Sequence, residues 1–197
     1  MYYYANCSVR SGSNQNATWT DYISYNGYYS IDVFAVQISP DGKYVVAGGT
    51  SSPSGGFVAF YKDANATPYP TEPNWYAKSS INGSIRDLAL SNDGYAVVAV
   101  DITYTSLYYW ANATTLVGDP NATWTNNGTF GSSVDMSADG DNVVAGGGGV
   151  LRSLHFWTNA RELEGPQTEN WTRLESVYVF DVAISDDGSL IAASGYN

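Results

Sequence analysis

Cysteine and histidine occur once each, as Cys7 and His155. A single cysteine excludes a disulfide within the chain. With one histidine beside it, the soft ligands are too few for a zinc or other transition-metal centre. Basic side chains are also scarce, eight lysines and arginines against 19 carboxylates. They are scattered and form no patch for phosphates, so nucleic acid is not an expected partner. No run reaches the roughly 18 apolar residues that a membrane span requires, so membrane insertion is not expected either. The opening MYYYANCSVR lacks the basic and apolar regions of a secretory signal. The chain is therefore read either as cytosolic or as the mature part or a domain of a longer exported protein.

Runs of helix-forming residues are missing, whereas aromatics reach 15% and glycines number 20. That composition points to an all-β protein of short strands and tight turns. The charge of -11 and pI near 4.1 favour solubility over cation-dependent binding.

The stretch Val33–Gly49, VFAVQISPDGKYVVAGG, is an alternating apolar run, a Ser-Pro-Asp-Gly turn, and a second apolar run ending in small residues. Asp and Gly tolerate the positive φ of a tight hairpin turn. The pattern returns from Ile85, Val134 and Val179, with turn glycines Gly42, Gly94, Gly140 and Gly188 spaced by 52, 46 and 48 residues. After each of the first three A–B hairpins comes a third aromatic strand, C, as in LYYWANAT from Leu107 and LHFWTNAR from Leu154. A fourth, D, carries one tryptophan: Trp19, Trp75, Trp124 or Trp171. Four strands in a period of about 45 residues mark a propeller blade.

The chain opens on a C–D pair and ends on an A–B hairpin. The expectation is a single four-bladed β-propeller closed by A–B from the C-terminus and C–D from the N-terminus. Its blades are placed at 178–197 plus 1–27, 28–80, 81–129 and 130–177. A monomer follows, with a dimer of eight blades as the alternative. Small residues such as Gly48 and Gly146 are placed where blades crowd the axis, and the tryptophans between blades.

The core Ile38-Ser39-Pro40-Asp41-Gly42-Lys43-Tyr44-Val45-Val46-Ala47-Gly48-Gly49 resembles the repeats of WD-repeat-like and YVTN-type propellers of prokaryotic surface proteins. Where WD repeats end strand C in Trp-Asp, this chain has Tyr4-Ala5, Tyr61-Lys62, Trp110-Ala111 and Trp157-Thr158. The Asp–His network of that family is therefore not expected.

Eight Asn-x-Ser/Thr sequons occur, at Asn6, Asn16, Asn65, Asn82, Asn112, Asn121, Asn127 and Asn170. As glycan acceptors they suit the loops of an exported protein. Asn6 is set apart because Cys7 is its middle residue. Asp135 to Gly140 matches half of a calcium loop but lacks the closing glutamate, and reads as a turn. Aligned on Ser39, Ser91, Ser137 and Ser185, the A strands place Ala35, Asp87, Ser133 and Asp181 in one ring at the channel. Two carboxylates there suit a bound ligand or acid–base work. His155, between Leu154 and Phe156, reads as packing.

The leading reading is a non-catalytic binding or scaffold module of a secreted or cell-surface glycoprotein. It meets a protein or glycan at a propeller face and needs no cofactor or metal. A lectin-like propeller and a propeller hydrolase or lyase using Asp87 and Asp181 are the alternatives.

Overall fold

The computed structural model describes residues 2–3, 19–20, 31–51, 55–66, 68, 70, 72–128, 133–147, 153–174 and 178–196. Within them the protein is all-β. Two short strands, β1 (Tyr2–Tyr3) and β2 (Trp19–Thr20), pair antiparallel. The first full sheet is β3 (Ile31–Ile38), β4 (Val45–Ser51), β5 (Gly56–Tyr61) and β6 (Trp75–Ala77). The second is β7 (Ile85–Leu90), β8 (Val97–Asp101), β9 (Leu107–Trp110) and β10 (Trp124–Asn126). The third is β11 (Ser133–Met136), β12 (Val143–Gly147), β13 (Ser153–Trp157) and β15 (Trp171–Leu174). Between β13 and β15, the short β14 (Gly165–Pro166) leaves the third sheet and pairs parallel with β10 of the second. The hairpin β16 (Tyr178–Ile184) and β17 (Ile191–Tyr196) ends the series.

Each full sheet is an up-and-down meander, A to D, whose A strands meet in sequence: β3 against β7, β7 against β11, β11 against β16. The turns explain why the sequence folds this way. Gly42, Gly94, Gly140 and Gly188 all have φ between +70° and +77°. The serine two residues before the aspartate donates to its Oδ1, from Ser39 to Asp41 at 2.6 Å and from Ser137 to Asp139 at 2.6 Å. The same serine oxygen accepts from the backbone N–H five residues on, Tyr44 and Asn142 at 2.9 Å. Ser-x-Asp-Gly thus satisfies its turn polar groups within six residues, with no distant partner needed.

The core lies between the sheets. Val46, Val58, Phe60 and Trp75 of the first pack on Ile85, Leu88, Val97 and Trp110 of the second. Val98, Tyr109 and Trp124 pack on Val134, Val143 and Trp157 of the third. Val144 and Phe156 pack on Val179, Val182 and Ile184 of the hairpin. Small strand-B residues permit this approach. A Cβ at Gly48 would lie 2.7 Å from Ile85 Cγ2, and one at Gly146 would lie 2.3 Å from Val179 Cγ1.

The ring expected from the strand count is not closed. Hairpin β16–β17 and pair β1–β2 form separate two-stranded sheets among the described residues. The hairpin sits instead against β11, β12 and β13. The pairing logic of the sequence names which strands complement each other, but not the rotation from one sheet to the next. That rotation decides whether the two ends meet.

Candidate functional site

Strands β3, β7 and β16 carry a register shift at the same place: Val33/Ala35, Ile85/Asp87 and Val179/Asp181. A bulge re-aims the residue that follows it, and in β7 and β16 that residue is an aspartate. Ser133 of β11 stands between the two. Its Oγ lies 2.8 Å from Asp87 Oδ2 and 3.0 Å from Asp181 Oδ1. A hydroxyl donates one proton, so it serves one carboxylate at a time. Val134 N–H donates to Asp87 Oδ2 at 2.9 Å, and Val182 N–H donates to Ser133 Oγ at 3.3 Å. Asp87, Ser133 and Asp181, aligned by register in the sequence, are therefore brought together. Ala35 adds no polar group.

One member was not foreseen. Asp135, two residues beyond Ser133, accepts from Ile184 N–H through Oδ2 at 2.9 Å and from Met136 N–H through Oδ1 at 2.9 Å. Its place in an Asp-x-x-x-Asp-Gly segment draws attention to a calcium loop, whereas its alternation with Ser133 along β11 is the more telling signal. Every one of these bonds runs from one A strand to the next or to a neighbouring residue. The cluster clips adjacent blades, with Asp87 and Asp135 accepting from backbone N–H groups and Asp181 reached through the Ser133 hydroxyl.

Burial holds Asp87 and Asp135 above the usual carboxylate range. The hydrogen bonds oppose the shift and the neighbouring carboxylates add to it. A folded carboxyl with a raised pKa keeps its proton where the unfolded chain has lost it. Its contribution is present at low pH and falls as pH rises from about 3.8 through the folded value. Asp41, Asp139 and Asp187 act oppositely. Their turn serines hold them below the ordinary carboxylate value, Asp187 at about 2. Their contribution is present above pH ~3.8 and is lost in stronger acid. Asp135→Asn removes one falling component. Melting temperatures of wild type and variant should therefore converge, or cross, in the wild type's favour as pH drops from 7 towards 4. A pH-independent difference would contradict the assignment.

His155 does more than pack. Its Nδ1 lies 3.3 Å from Glu169 Oε1 and its Nε2 is bonded to Ser153 Oγ. Glu169 Oε2 accepts from Asn126 Nδ2 at 3.2 Å, across the sheet boundary. Burial lowers the His155 pKa, with Glu169 opposing. Hydroxyl, imidazole and carboxylate stand in the order used for acyl transfer. Yet Ser153 is 1% and His155 4% exposed, so a substrate carbonyl has no approach and the group ties the second sheet to the third. The period-two spacing of Ser153 and His155 on one strand is the sequence signal for it.

Trp75 and Trp124 are buried, and each indole N–H donates at 2.8 Å to the next sheet, to Ala113 O and Ala160 O. Their ring faces are covered by Phe60 and Tyr109 at 5.4 and 5.0 Å, leaving no platform for a sugar. Trp171 differs, being 41% exposed beside Phe156. Trp19 carries β2, and its side chain lies outside the described residues.

Sequons Asn65, Asn82, Asn112, Asn121, Asn127 and Asn170 are exposed at the surface. Asn65 Nδ2 donates to Asp41 O at 3.0 Å, and Asn170 Oδ1 accepts from Thr158 N–H. Asn6 and Asn16 lie outside the described residues. No described helix is long and apolar enough to cross a membrane, and no group of three potential metal ligands occurs among the described residues.

The turns line one face. Asn92 N–H donates to Ala138 O at 2.8 Å and Ala138 N–H to Asp186 O at 2.9 Å, linking successive turns. Asp41, Asp93, Asp139, Asp186 and Asp187 are exposed there. Two cations accompany them: Lys43 near Asp63 at 3.9 Å, and Arg161 near Asp93 at 3.5 Å and stacked on Tyr95.

Residues 19–58 match the WD domain, G-beta repeat family, a span running from β2 through β3 and β4 into β5. Comparison with curated proteins gives no match. Among solved structures, a chain of the mitotic checkpoint complex is similar at 17% identity and TM-score 0.61, over 83% of this chain and 47% of that one. Kuenenia stuttgartiensis hydrazine synthase is similar at 16% identity and TM-score 0.58, over 86% of this chain and 45% of that one. The chain thus spans less than half the length of the structures it matches, and at these identities the likeness is one of fold. With a Ser-x-Asp-Gly turn in each A–B hairpin and the A strands side by side, the fold is like that of WD-repeat-like β-propellers, and residues 19–58 carry the match to that repeat.

Proposed function

We propose that the chain is a protein-binding scaffold module of a secreted or cell-surface glycoprotein, built of four blade units and engaging its partner through the turn face. The observation that carries this reading is the contiguous row of exposed turn aspartates. Ser39, Ser137 and Ser185 hold three of them ionised, and two already-paired cations accompany the row. A rigid anionic surface of this kind fits a segment rich in lysine and arginine on another protein, with electrostatics supplying rate and specificity. Asp87, Asp135 and the His155 group are engaged in hydrogen bonds between neighbouring blades, which supports a binding role over a chemical one. The exposed asparagines support the glycoprotein context, since an oligosaccharide can leave the fold from each of them.

Titration calorimetry with a lysine-rich peptide tests the face. Binding should weaken steeply with salt, and the double variant Asp139→Asn, Asp187→Asn should weaken it at least tenfold. An unchanged affinity would remove the turn face from consideration. On the same protein purified from its native host, mass spectrometry should find glycan on several of Asn65, Asn82, Asn112, Asn121 and Asn170. Bare asparagines throughout would remove the exported context.

A further inference from the structure

The turn face holds a guanidinium site that one of the chain's own arginines fills. After strand C of the third sheet, Asn159 has φ of +53° and a single helical turn follows, Ala160–Glu162. Ala160 is buried and tied through both backbone groups. Its N–H donates to Asp141 O at 2.9 Å, and its carbonyl accepts from the Trp124 indole at 2.8 Å. Arg161, the next residue, therefore starts from a fixed root, and its side chain reaches the second sheet. The guanidinium carbon lies 3.7 Å from the centre of the Tyr95 ring. Nη1 donates to Asp139 O at 2.9 Å, and Nη2 faces Asp93 Oδ2 at 3.5 Å. An aromatic face with a carbonyl and a carboxylate at its edge suits a planar arginine head better than a lysine ammonium.

Comparison along the chain shows that the blade plan does not require this site. Ala64, Ala113 and Ala160 share one backbone bond, their N–H groups donating to Lys43 O, Tyr95 O and Asp141 O. The residues that follow them are Asn65, Thr114 and Arg161. Asn65 makes the carbonyl contact alone, Nδ2 to Asp41 O at 3.0 Å. After the turn glycines stand Lys43, Tyr95, Asp141 and Ser189. A ring and an arginine thus meet at one junction, between the second and third sheets, while the other hairpins close without either.

The internal contact is weakly held. The Arg161 side chain is 30% exposed and that of Asp93 51%, and an exposed ion pair adds little net stability. The rest of the site does not depend on it. Asp93 Oδ1 accepts from Ser91 Oγ at 2.7 Å and Tyr95 N–H at 2.9 Å. Asp139 Oδ1 accepts from Ser137 Oγ at 2.6 Å and Asp141 N–H at 3.0 Å. Both aspartates keep their places when the guanidinium leaves.

We propose that Arg161 is a built-in stand-in, and that an arginine of the partner's basic segment replaces it on Tyr95, between Asp93 and the Asp139 carbonyl. This rests on the turn-face reading above and names the side chain that the face selects. Arg161 competes with that ligand, so it sets affinity below what the face can reach.

Two peptides of equal length and charge, one basic through arginine and the other through lysine, are titrated calorimetrically against wild type and variants. Arg161→Ala should bind the arginine peptide about fivefold more tightly than wild type does, the worth of a ring contact and an exposed ion pair. The lysine peptide should gain much less, and adding Tyr95→Leu should return the two peptides to parity. Arg161→Lys keeps the charge of the face and the side-chain stem, so it decides the case should Arg161→Ala unfold. Its affinity should rise for the arginine peptide and stay constant for the lysine peptide. Equal gains for the two peptides, or none, would overturn the subsite and leave the turn-face reading standing. Binding of neither peptide by any of these proteins would overturn both.

Discussion

Trp124→Ala is expected to cost about 3–5 kcal/mol of stability, a large share of the ~5–15 kcal/mol of an ordinary domain. The indole is fully buried between the second and third sheets, stacked on Tyr109 at 5.0 Å and tilted against Trp157 at 5.8 Å. Truncation leaves a cavity beside Tyr109 and Trp157 in the core between the two sheets. It also strips Ala160 O of its 2.8 Å donor. Both losses act in the folded state, so urea midpoints should fall while the slope is retained. Trp171→Ala is the matched control. In an isolated chain its half-exposed ring should cost under about 1 kcal/mol. Equal losses at the two positions would mean that Trp124 is not the keystone its burial suggests.

Gly146→Val should destabilise by about 1–3 kcal/mol, through overpacking instead of cavity formation. A Cβ there meets Val179 Cγ1 at 2.3 Å and Val182 Cγ1 at 3.0 Å. Both belong to the core of hairpin β16–β17, which the third sheet holds in place. The added methyls can be accommodated only by prising the hairpin away. Amide exchange in β16 should therefore quicken more than in β7. Because Val179 supplies the nearest atoms, Val179→Ala in the Gly146→Val background should recover part of the loss, a coupling that independent sites do not show. Additive losses would indicate that the strain lies elsewhere. Gly48→Val should behave alike against Ile85 and Leu88, where the gaps are 2.7 and 2.9 Å.

Much of the blade was legible because its determinants are local. Ser39, Asp41 and Gly42 close a turn within a few residues, and the same triplet closes the turns at Ser91, Ser137 and Ser185. Alternation assigns Val46 and Val45 to opposite sides of one strand, and the structure buries them in different clusters. The axial trio was legible for the same reason, since aligning the strands on their terminal serines is an alignment in register. Asp135 was passed over because a turn motif overlapped it. The Ser153–His155–Glu169 group was passed over because Glu169 joins it from a loop that pattern analysis does not position.

What the sequence by itself determined is the unit: four short strands, an Asp-Gly turn at one end, small residues in strand B, and complementary strand types at the two ends of the chain. Each follows from φ preferences, side-chain alternation and volume, which act over a few residues. Only the tertiary structure decided that Trp124 is sealed while Trp171 is half-exposed, that Ser133 bridges Asp87 and Asp181, and that β16–β17 and β1–β2 belong to separate sheets among the described residues. These depend on the rotation between successive sheets. That rotation is set by dozens of contacts between strands far apart in the chain, and no single stretch of sequence encodes it.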